Sequence, residues 1–380
     1  MNLVLSEEQQ LLQHTARDFV TKSASLRRLR ALRDSGDELG YSRDVWKEMV
    51  KLGWPGIIFP EECGGLAMGY ADLAVVLEEL GRGLMPEPFL SSVLLGGTAL
   101  QLGGSPALSQ ALLSQLINGE VVVAFAYQER DSRYDLHHVS MQAEREGSGW
   151  RITGEKLHVL DGYGSDRLIV SARTAGGVGD RDGITLFLLH AQGSGVHISR
   201  EWRIDSRNAA MVRLDRVKAT DVQVLGEVGK GADLLETVID RATIGLCAEM
   251  LGSMTAALEM TLAYLKTRQQ FGVVIGTFQA LKHRAAKLYI ETELARSAVM
   301  AAHQAIDAGS NDVAQYASLA KARCSDAFVL IANEAVQMHG GIGMTDEHDA
   351  GFFIKRARVA EITFGDAAYH RNRYAELHQY

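Results

Sequence analysis

The stretch Arg268-Gln269-Gln270-Phe271-Gly272 closes one long segment with apolar residues at helical spacing, 232–267, and a second such segment, 278–308, follows it. Between the two lie only Val273 to Thr277. This spacing predicts two long antiparallel helices joined by a tight connection. The stretch therefore fixes the centre of a helical domain.

Three side chains at this connection suit a ligand that carries phosphate. Arg268 offers a planar fork of donors, Phe271 a ring face one turn further on, and Gln279 an amide that reaches polar atoms of the same ligand. The alternative is an arginine and a glutamine that bond to helix-end carbonyls around a buried phenylalanine. Spacing alone leaves both interpretations open.

Length and charge limit the class of protein. A chain of 380 residues predicts two or three domains, and a formal net charge of -8 argues against nucleic-acid binding. The basic run between residues 27 and 33 alternates with leucines, which is typical of the solvated face of an amphipathic helix. No run reaches the roughly 18 apolar residues of a membrane span.

The cysteines and the N-terminus indicate the compartment. Cys63, Cys247 and Cys324 are odd in number and widely spaced, so neither a disulfide framework nor a zinc site is expected, and the cytoplasm is the predicted location. The first residues lack a signal-peptide pattern. Ser6 and Gln9 stand at capping-box spacing, which predicts a helix start.

The order of patterns predicts three domains. Residues 1–118 have helical periodicity, 119–225 carry short β-rich runs, and 226–380 return to the helical period. The predicted strands of an antiparallel barrel or sandwich are 121–126, 149–152, 157–159, 168–172, 184–189 and 211–214. The predicted fold class is thus mainly α with an inserted β domain.

Three runs resemble acyl-CoA dehydrogenases. They are the stretch from Arg268 to His283, the run from Ala335 to Gly343 with Gln337-Met338-His339-Gly340-Gly341, and Leu52-Gly53 through Phe59 to Gly65. The resemblance covers essentially the whole chain. It implies an N-terminal helical domain, a central β barrel and a C-terminal four-helix bundle that forms the core of a tetramer.

The resemblance also implies chemistry and cofactor. Such enzymes use FAD to remove two hydrogens across the Cα–Cβ bond of an acyl-CoA, with a carboxylate that takes the α-proton. The expected electron acceptor is an electron-transfer flavoprotein. The last helical domain holds the pyrophosphate and adenine arm of a neighbouring subunit's FAD; the matching residues here are Arg268, Phe271, Gln279, Gln337, Gly340 and Gly341. Taken alone, the two glycines are more typical of a helix C-cap than of a cofactor site.

The flavin-binding positions depart from the family pattern. Ala126 to Asp135 stand where relatives carry a Thr-Glu-Pro and Gly-Ser-Asp loop, and His158-Val159-Leu160 replace a Trp-Ile-Thr strand. Leucine has no hydroxyl to offer flavin N5. His158 is either a stacking substitute for the tryptophan or a partly exposed strand histidine.

The positions of the catalytic base also depart from the family pattern. Its two family positions hold Phe364 and Ala242, and neither side chain accepts a proton. Asp240 and Asp366 are each two residues away, an offset of roughly 200° around a helix. Asp366 is therefore a weak candidate for a displaced base.

These departures resemble the small subunits of heterotetrameric acyl-CoA dehydrogenases, and the pimeloyl-CoA type in particular. The resemblance implies a homologous large subunit that supplies the base and the flavin bed. Two alternatives stay open: a self-sufficient flavoenzyme with a relocated base, Asp366 or Glu129, and a non-catalytic scaffold subunit. The sequence does not identify the acyl group.

Overall fold

A computed structural model describes residues 4–23 and 26–380. The α-helices are α1 (Glu7–Ser23), α2 (Leu26–Ser35), α3 (Arg43–Lys51), α4 (Tyr70–Arg82), α5 (Thr98–Gly103), α6 (Pro106–Ile117), α7 (Ala232–Thr267), α8 (Gln279–Asp307), α9 (Val313–His339), α10 (Ala350–Ile362) and α11 (Ala367–Leu377). A π-helix covers Phe89–Gly97.

The strands lie between α6 and α7, apart from one short hairpin. They are β1 (Val123–Ala126), β2 (Gln142–Glu146), β3 (Gly149–Leu160), β4 (Arg167–Arg173), β5 (Ile184–His190), β6 (Val196–Trp202), β7 (Asn208–Thr220) and β8 (Val224–Leu225); the hairpin is β9 (Gln269–Gln270) with β10 (Val273–Val274). An N-terminal helical part, a middle β part and a C-terminal helical part thus follow in the predicted order, which confirms the fold class.

The chain forms two compact units. The first, here called the helical unit, consists of the described residues of 1–31, 70–85 and 243–380. The second, here called the mixed unit, consists of residues 32–69 and 86–242 and contains the large sheet. The division of the sequence at residues 118 and 225 stays a prediction.

The large sheet differs from the predicted one in two respects. Its strand order is β6-β7-β3-β2-β4-β5-β8, with β1 beside β4. The pairings β1–β4 and β2–β4 are parallel, so the sheet is mixed rather than purely antiparallel. The two predicted strands 149–152 and 157–159 are one strand, β3, interrupted by register shifts against β7 that include Gly154, whose φ is 152°.

Helix boundaries follow the sequence signals closely. The predicted segment 232–267 is α7, and 278–308 contains α8. At α1 the amide of Ser6 donates to Oε1 of Gln9 (3.1 Å) while the amide of Gln9 donates to Oγ of Ser6 (3.2 Å), which confirms the capping box. In the described part of the chain, no helix combines the length and the apolarity needed to cross a membrane.

Within the helical unit, α4 and α7 approach so closely that glycine is required on both. A Cβ atom at Gly81 would lie 2.0 Å from the carbonyl oxygen of Glu249, and one at Gly252 would lie 1.7 Å from that of Glu78. Both distances are far inside van der Waals contact. This reciprocal pair fixes the spacing of the two helices at that point.

Candidate functional site

The connection between α7 and α8 is a β-hairpin with a two-residue turn. Gln270 pairs with Val273, and the turn residues Phe271 (φ 54°) and Gly272 (φ 79°) both have left-handed backbones. This is the conformation of a type I′ turn, in which asparagine and glycine are the usual residues. A phenylalanine held there is strained, and strain of this kind concentrates at functional sites.

The side chains of this hairpin point away from the protein core. Phe271 is 90% exposed, and its ring contacts only the edge of Phe278 among the described rings, at 6.1 Å between centroids. Arg268 and Gln279 are also exposed. Both backbone polar groups of Arg268 are hydrogen-bonded: its amide donates to the carbonyl of Tyr264, and its carbonyl accepts from the amide of Ile275. The predicted alternative of a buried phenylalanine is therefore wrong.

The second motif lies at the end of α9. Gly340 has φ 67° and terminates the helix, and Gln337, Gly340 and Gly341 are exposed. A Cβ atom at either glycine would meet no atom within 4 Å, so the backbone borders open space. The amide of Gly340 donates to the carbonyl of Gln337. The open backbone at Gly341 and the arginine fork fit the phosphate-bearing arm of a dinucleotide.

A cluster of three tilted rings that the sequence did not reveal, here called the ring stack, joins the two motifs. The ring of His339 lies 4.4 Å from that of Tyr264, one turn before Arg268, and 4.3 Å from that of His348. Nδ1 of His339 donates to the carbonyl of Ala335 at 2.6 Å, which fixes the ring. The stack therefore holds the end of α9 against the end of α7. The only sequence signal for it is the position of His339 inside the Gln337 to Gly343 run.

Both positions at which the resemblance implies the base hold buried apolar side chains. Ala242 is fully buried in α7, and Phe364 is 7% exposed with φ 62°. Asp366, the weak candidate for a displaced base, is the N-cap of α11, and its Oδ1 accepts the amide of Tyr369 at 2.8 Å. Its carboxylate therefore has a structural role.

Two buried polar side chains hold the turn at Phe364 and Gly365. Nζ of Lys321 donates to the carbonyls of Gly365 (2.6 Å) and Glu361 (2.8 Å). Nε2 of His370 donates to the carbonyl of Phe364 at 3.1 Å. Burial, together with the nearby charges of Lys321 and Arg373, lowers the pKa of His370 to about 3. The imidazole is therefore neutral when the protein is folded.

The burial of His370 predicts acid sensitivity. Because its pKa in the folded protein lies below the ordinary value of about 6.5, the unfolded chain binds the proton first. The free energy of unfolding should fall by roughly 1.4 kcal/mol per pH unit between about pH 6.5 and pH 3, and should show no such loss above pH 6.5.

Urea unfolding of His370→Gln at about pH 5 and pH 7 measures this effect. The amide still donates to the carbonyl of Phe364 but does not titrate, so the difference between the two pH values should shrink. His197→Gln, at an exposed position of β6, is the control and should leave the difference unchanged. An unchanged difference in His370→Gln would contradict the assignment.

At the end of β3 the structure places His158 at the surface. Its side chain is 61% exposed, its φ is 54°, and Nδ1 lies 2.9 Å from Oε2 of Glu201. The residue occupies an irregularity between Lys156 and Val159 in the pairing with β7. An exposed ring paired with a carboxylate fits the partly exposed strand histidine, and the role of a stacking substitute stays a prediction.

Glu129, the other proposed base, is locked in a buried cluster. It accepts from Nζ of Lys156 (2.7 Å), from the amide of Met141 (3.1 Å) and from the amide and hydroxyl of Ser140. Burial alone would raise the pKa of Glu129, but the charge and hydrogen bonds of its partners lower it. Burial lowers the pKa of Lys156 to about 8. A carboxylate with all its acceptor sites engaged is a poor base.

Other chemistries find no support in the described part of the chain. Among those residues, no group of three His, Cys, Asp or Glu side chains is arranged to hold a metal ion. The three cysteines are free and buried. The residues suited to a phosphate-bearing ligand are those of the α7–α8 hairpin and the end of α9.

The sequence matches three family models along its length. They describe the N-terminal domain of acyl-CoA dehydrogenases (residues 6–120), their middle domain (124–217) and their C-terminal domain (229–377). Together the three matches cover most of the chain.

Individual relatives match over nearly their whole length. The acyl-CoA dehydrogenase IpdE2 of Mycolicibacterium smegmatis is 31% identical, over 93% of this chain and 93% of its own. A solved structure of a Tcur3481-Tcur3483 steroid ACAD variant is 30% identical with a TM-score of 0.88, over 98% of both chains. Butyryl-CoA dehydrogenase from Megasphaera elsdenii is 25% identical with a TM-score of 0.93, over 100% of both.

Proposed function

We propose that this chain, which belongs to the acyl-CoA dehydrogenase family, is the subunit that lacks the base in an assembly of two related chains. The family consists of FAD-dependent oxidoreductases that act on CH–CH bonds. In our proposal a homologous large subunit provides the carboxylate and the flavin bed. This chain provides the grip on the dinucleotide arm of the partner's FAD.

The exposed hairpin is the observation that carries the proposal. Arg268 and Gln279 of the α7–α8 connection are exposed, with Phe271 held outward in a strained turn. The end of α9, with Gln337 and the open glycines, is joined to it by the ring stack. A group of side chains that point outward in this way is suited to a ligand that is bound mainly by another subunit.

The chain's own positions for catalysis support the second half of the proposal. Phe364 and Ala242 accept no proton, Leu160 offers no hydroxyl to flavin N5, and the carboxylates of Asp366 and Glu129 are engaged elsewhere. FAD, when bound, supplies the acceptor for the hydride, and the protein orients it. On this chain, Arg268 would hold the pyrophosphate, and the open backbone at Gly340 and Gly341 would border the same anion.

The similar Tcur3481-Tcur3483 steroid ACAD, which is named for two proteins, also favours an assembly of two chains. We propose an acyl-CoA thioester as substrate and an electron-transfer flavoprotein as acceptor. The free thiols support a reducing compartment such as the cytoplasm. We further propose that the chain is the small subunit of an enzyme of the pimeloyl-CoA dehydrogenase type.

Purification of the chain alone and with its partner tests the proposal. Alone, the protein should be inactive and colourless or weakly flavinated, because its own flavin bed is incomplete. Co-expressed with a homologue that carries Thr-Glu-Pro, Trp-Ile-Thr and a glutamate base, it should give a yellow complex with about one FAD per pair of chains. A yellow homotetramer that oxidises acyl-CoA unaided would refute the proposal.

Asp366 distinguishes the proposal from a self-sufficient enzyme. If Asp366 is only a helix cap, Asp366→Asn should keep both the stability and the turnover of the complex. Asp366→Ala should lower the free energy of unfolding by about 1 kcal/mol without a loss of turnover. If Asp366 were the base, both variants would abolish turnover while FAD stays bound. Steady-state rates and urea unfolding of both variants decide between the two.

A further inference from the structure

A cavity of about 430 Å³ lies inside the helical unit, between α1, α4, α7 and α8. Apolar side chains dominate its wall, among them Ala71, Ala74, Val75, Leu251 and Val299. Cavities of roughly 300–1,000 Å³ with such walls are typical small-molecule sites. None of the residues proposed to hold the dinucleotide borders it, so a ligand here would be independent of the proposed redox site.

One buried polar atom in the wall has no partner. His303 lines the cavity and is fully buried, and its Nδ1 donates to the carbonyl of Val299 at 2.9 Å. In a neutral imidazole this leaves Nε2 as an acceptor, and Nε2 is buried without a hydrogen bond. Burial lowers the pKa of His303 to about 4, so the ring stays neutral at physiological pH. A buried acceptor without a donor costs stability, which a bound donor recovers.

The charged groups of the wall select against acids. Glu78 and Arg296 border the cavity and form an ion pair, with Nη1 of Arg296 2.6 Å from Oε1 of Glu78. The Nε of Arg296 also donates to Oε1 of Glu293 at 3.4 Å. Two carboxylates surround one guanidinium, so the cation is already neutralised. An anionic ligand would meet a net negative charge here.

We propose that this cavity binds a small neutral alcohol, whose apolar body fills the space between α4 and α8 and whose hydroxyl donates to Nε2 of His303. The apolar wall sets the shape of the ligand, the histidine recognises its single donor, and the Glu78–Arg296 pair excludes the corresponding acid. The inference goes beyond the proposed dehydrogenase function.

Three ring compounds of similar shape test the chemistry: cyclohexanol, methylcyclohexane and cyclohexanecarboxylate. Saturation-transfer NMR on the full chain, in the assembly in which it is purified, should detect cyclohexanol most strongly, methylcyclohexane weakly and the carboxylate not at all. Crystals soaked with cyclohexanol should show its oxygen within hydrogen-bond distance of Nε2 of His303. Absence of cyclohexanol binding, or a cavity that holds water only, would overturn the proposal.

Substitutions locate the site. His303→Leu removes the acceptor and should weaken cyclohexanol binding about tenfold while leaving methylcyclohexane unchanged. Ala74→Phe fills the cavity and should abolish binding of both, and the smaller Ala71→Leu should weaken both if Ala74→Phe does not fold. Ala107→Phe, at an exposed position of α6, is the matched control and should bind like the native chain. Equal cyclohexanol binding in His303→Leu, or retained binding in both filled variants, would contradict the assignment.

Discussion

Replacing Arg268 with alanine in the co-purified assembly is expected to raise the dissociation constant of FAD by about 10- to 100-fold. The reason is that a guanidinium can form two parallel charge-assisted hydrogen bonds to pyrophosphate, and alanine forms none. Because the side chain is exposed, its removal leaves no cavity and stability should be unchanged. Flavin fluorescence during dialysis measures the loss, and turnover should fall with the bound flavin and recover with added FAD.

Two further variants separate the fork from its charge. Arg268→Lys keeps the charge without the planar fork and should give an intermediate loss. Lys266→Ala removes a positive charge from an exposed position two residues earlier and should bind FAD like the native assembly. Full activity and full flavin content in Arg268→Ala would instead favour the scaffold subunit.

Replacing Arg173 with methionine should destabilise the mixed unit by about 4 kcal/mol. The side chain of Arg173 is 1% exposed, and its guanidinium donates to five backbone carbonyls. These belong to Val139 (3.3 Å), Asp180 (2.8 Å), Asp182 (2.7 Å), His137 (2.8 Å) and Val178 (2.9 Å). Methionine fills part of the space but donates to none of these oxygens, and only that of Val178 keeps another donor, the amide of Val139.

Urea unfolding followed by circular dichroism measures this loss. Arg173→Lys keeps a charge but has too few donors to replace the fork, so it should also destabilise. Arg130→Met is the control, because Arg130 is 73% exposed at its side chain and its pairing with Glu155 is loose, at 3.6 Å. It should change the free energy of unfolding by less than about 0.5 kcal/mol. Similar values for Arg173→Met and Arg130→Met would contradict the structural role.

Helices were predicted well because their signals are local. Apolar residues at helical spacing predicted both ends of α7, and the pair Ser6 and Gln9 predicted the start of α1. Both depend on residues within one or two turns of each other.

Strands were predicted less well because their signals depend on neighbours. β2 and β6 were missed, since most of their residues are exposed or only partly buried and several are charged. β3 was divided in two because Gly154 and the irregularity near His158 interrupt its pattern. A strand at the edge of a sheet need not be apolar, and only the pairing with β7 reveals β6.

The amino-acid sequence by itself determined the order of helical and β segments and the absence of a proton acceptor at positions 242 and 364. It also placed the residues proposed to hold the dinucleotide arm of FAD in two separate runs. These features follow from residue type and local spacing. Only the tertiary structure decided that Phe271 points outward, that Tyr264 and His339 stack to join the two runs, and that Glu129 and Asp366 are engaged elsewhere. The physical reason is that burial and hydrogen bonding depend on contacts between residues far apart in the chain.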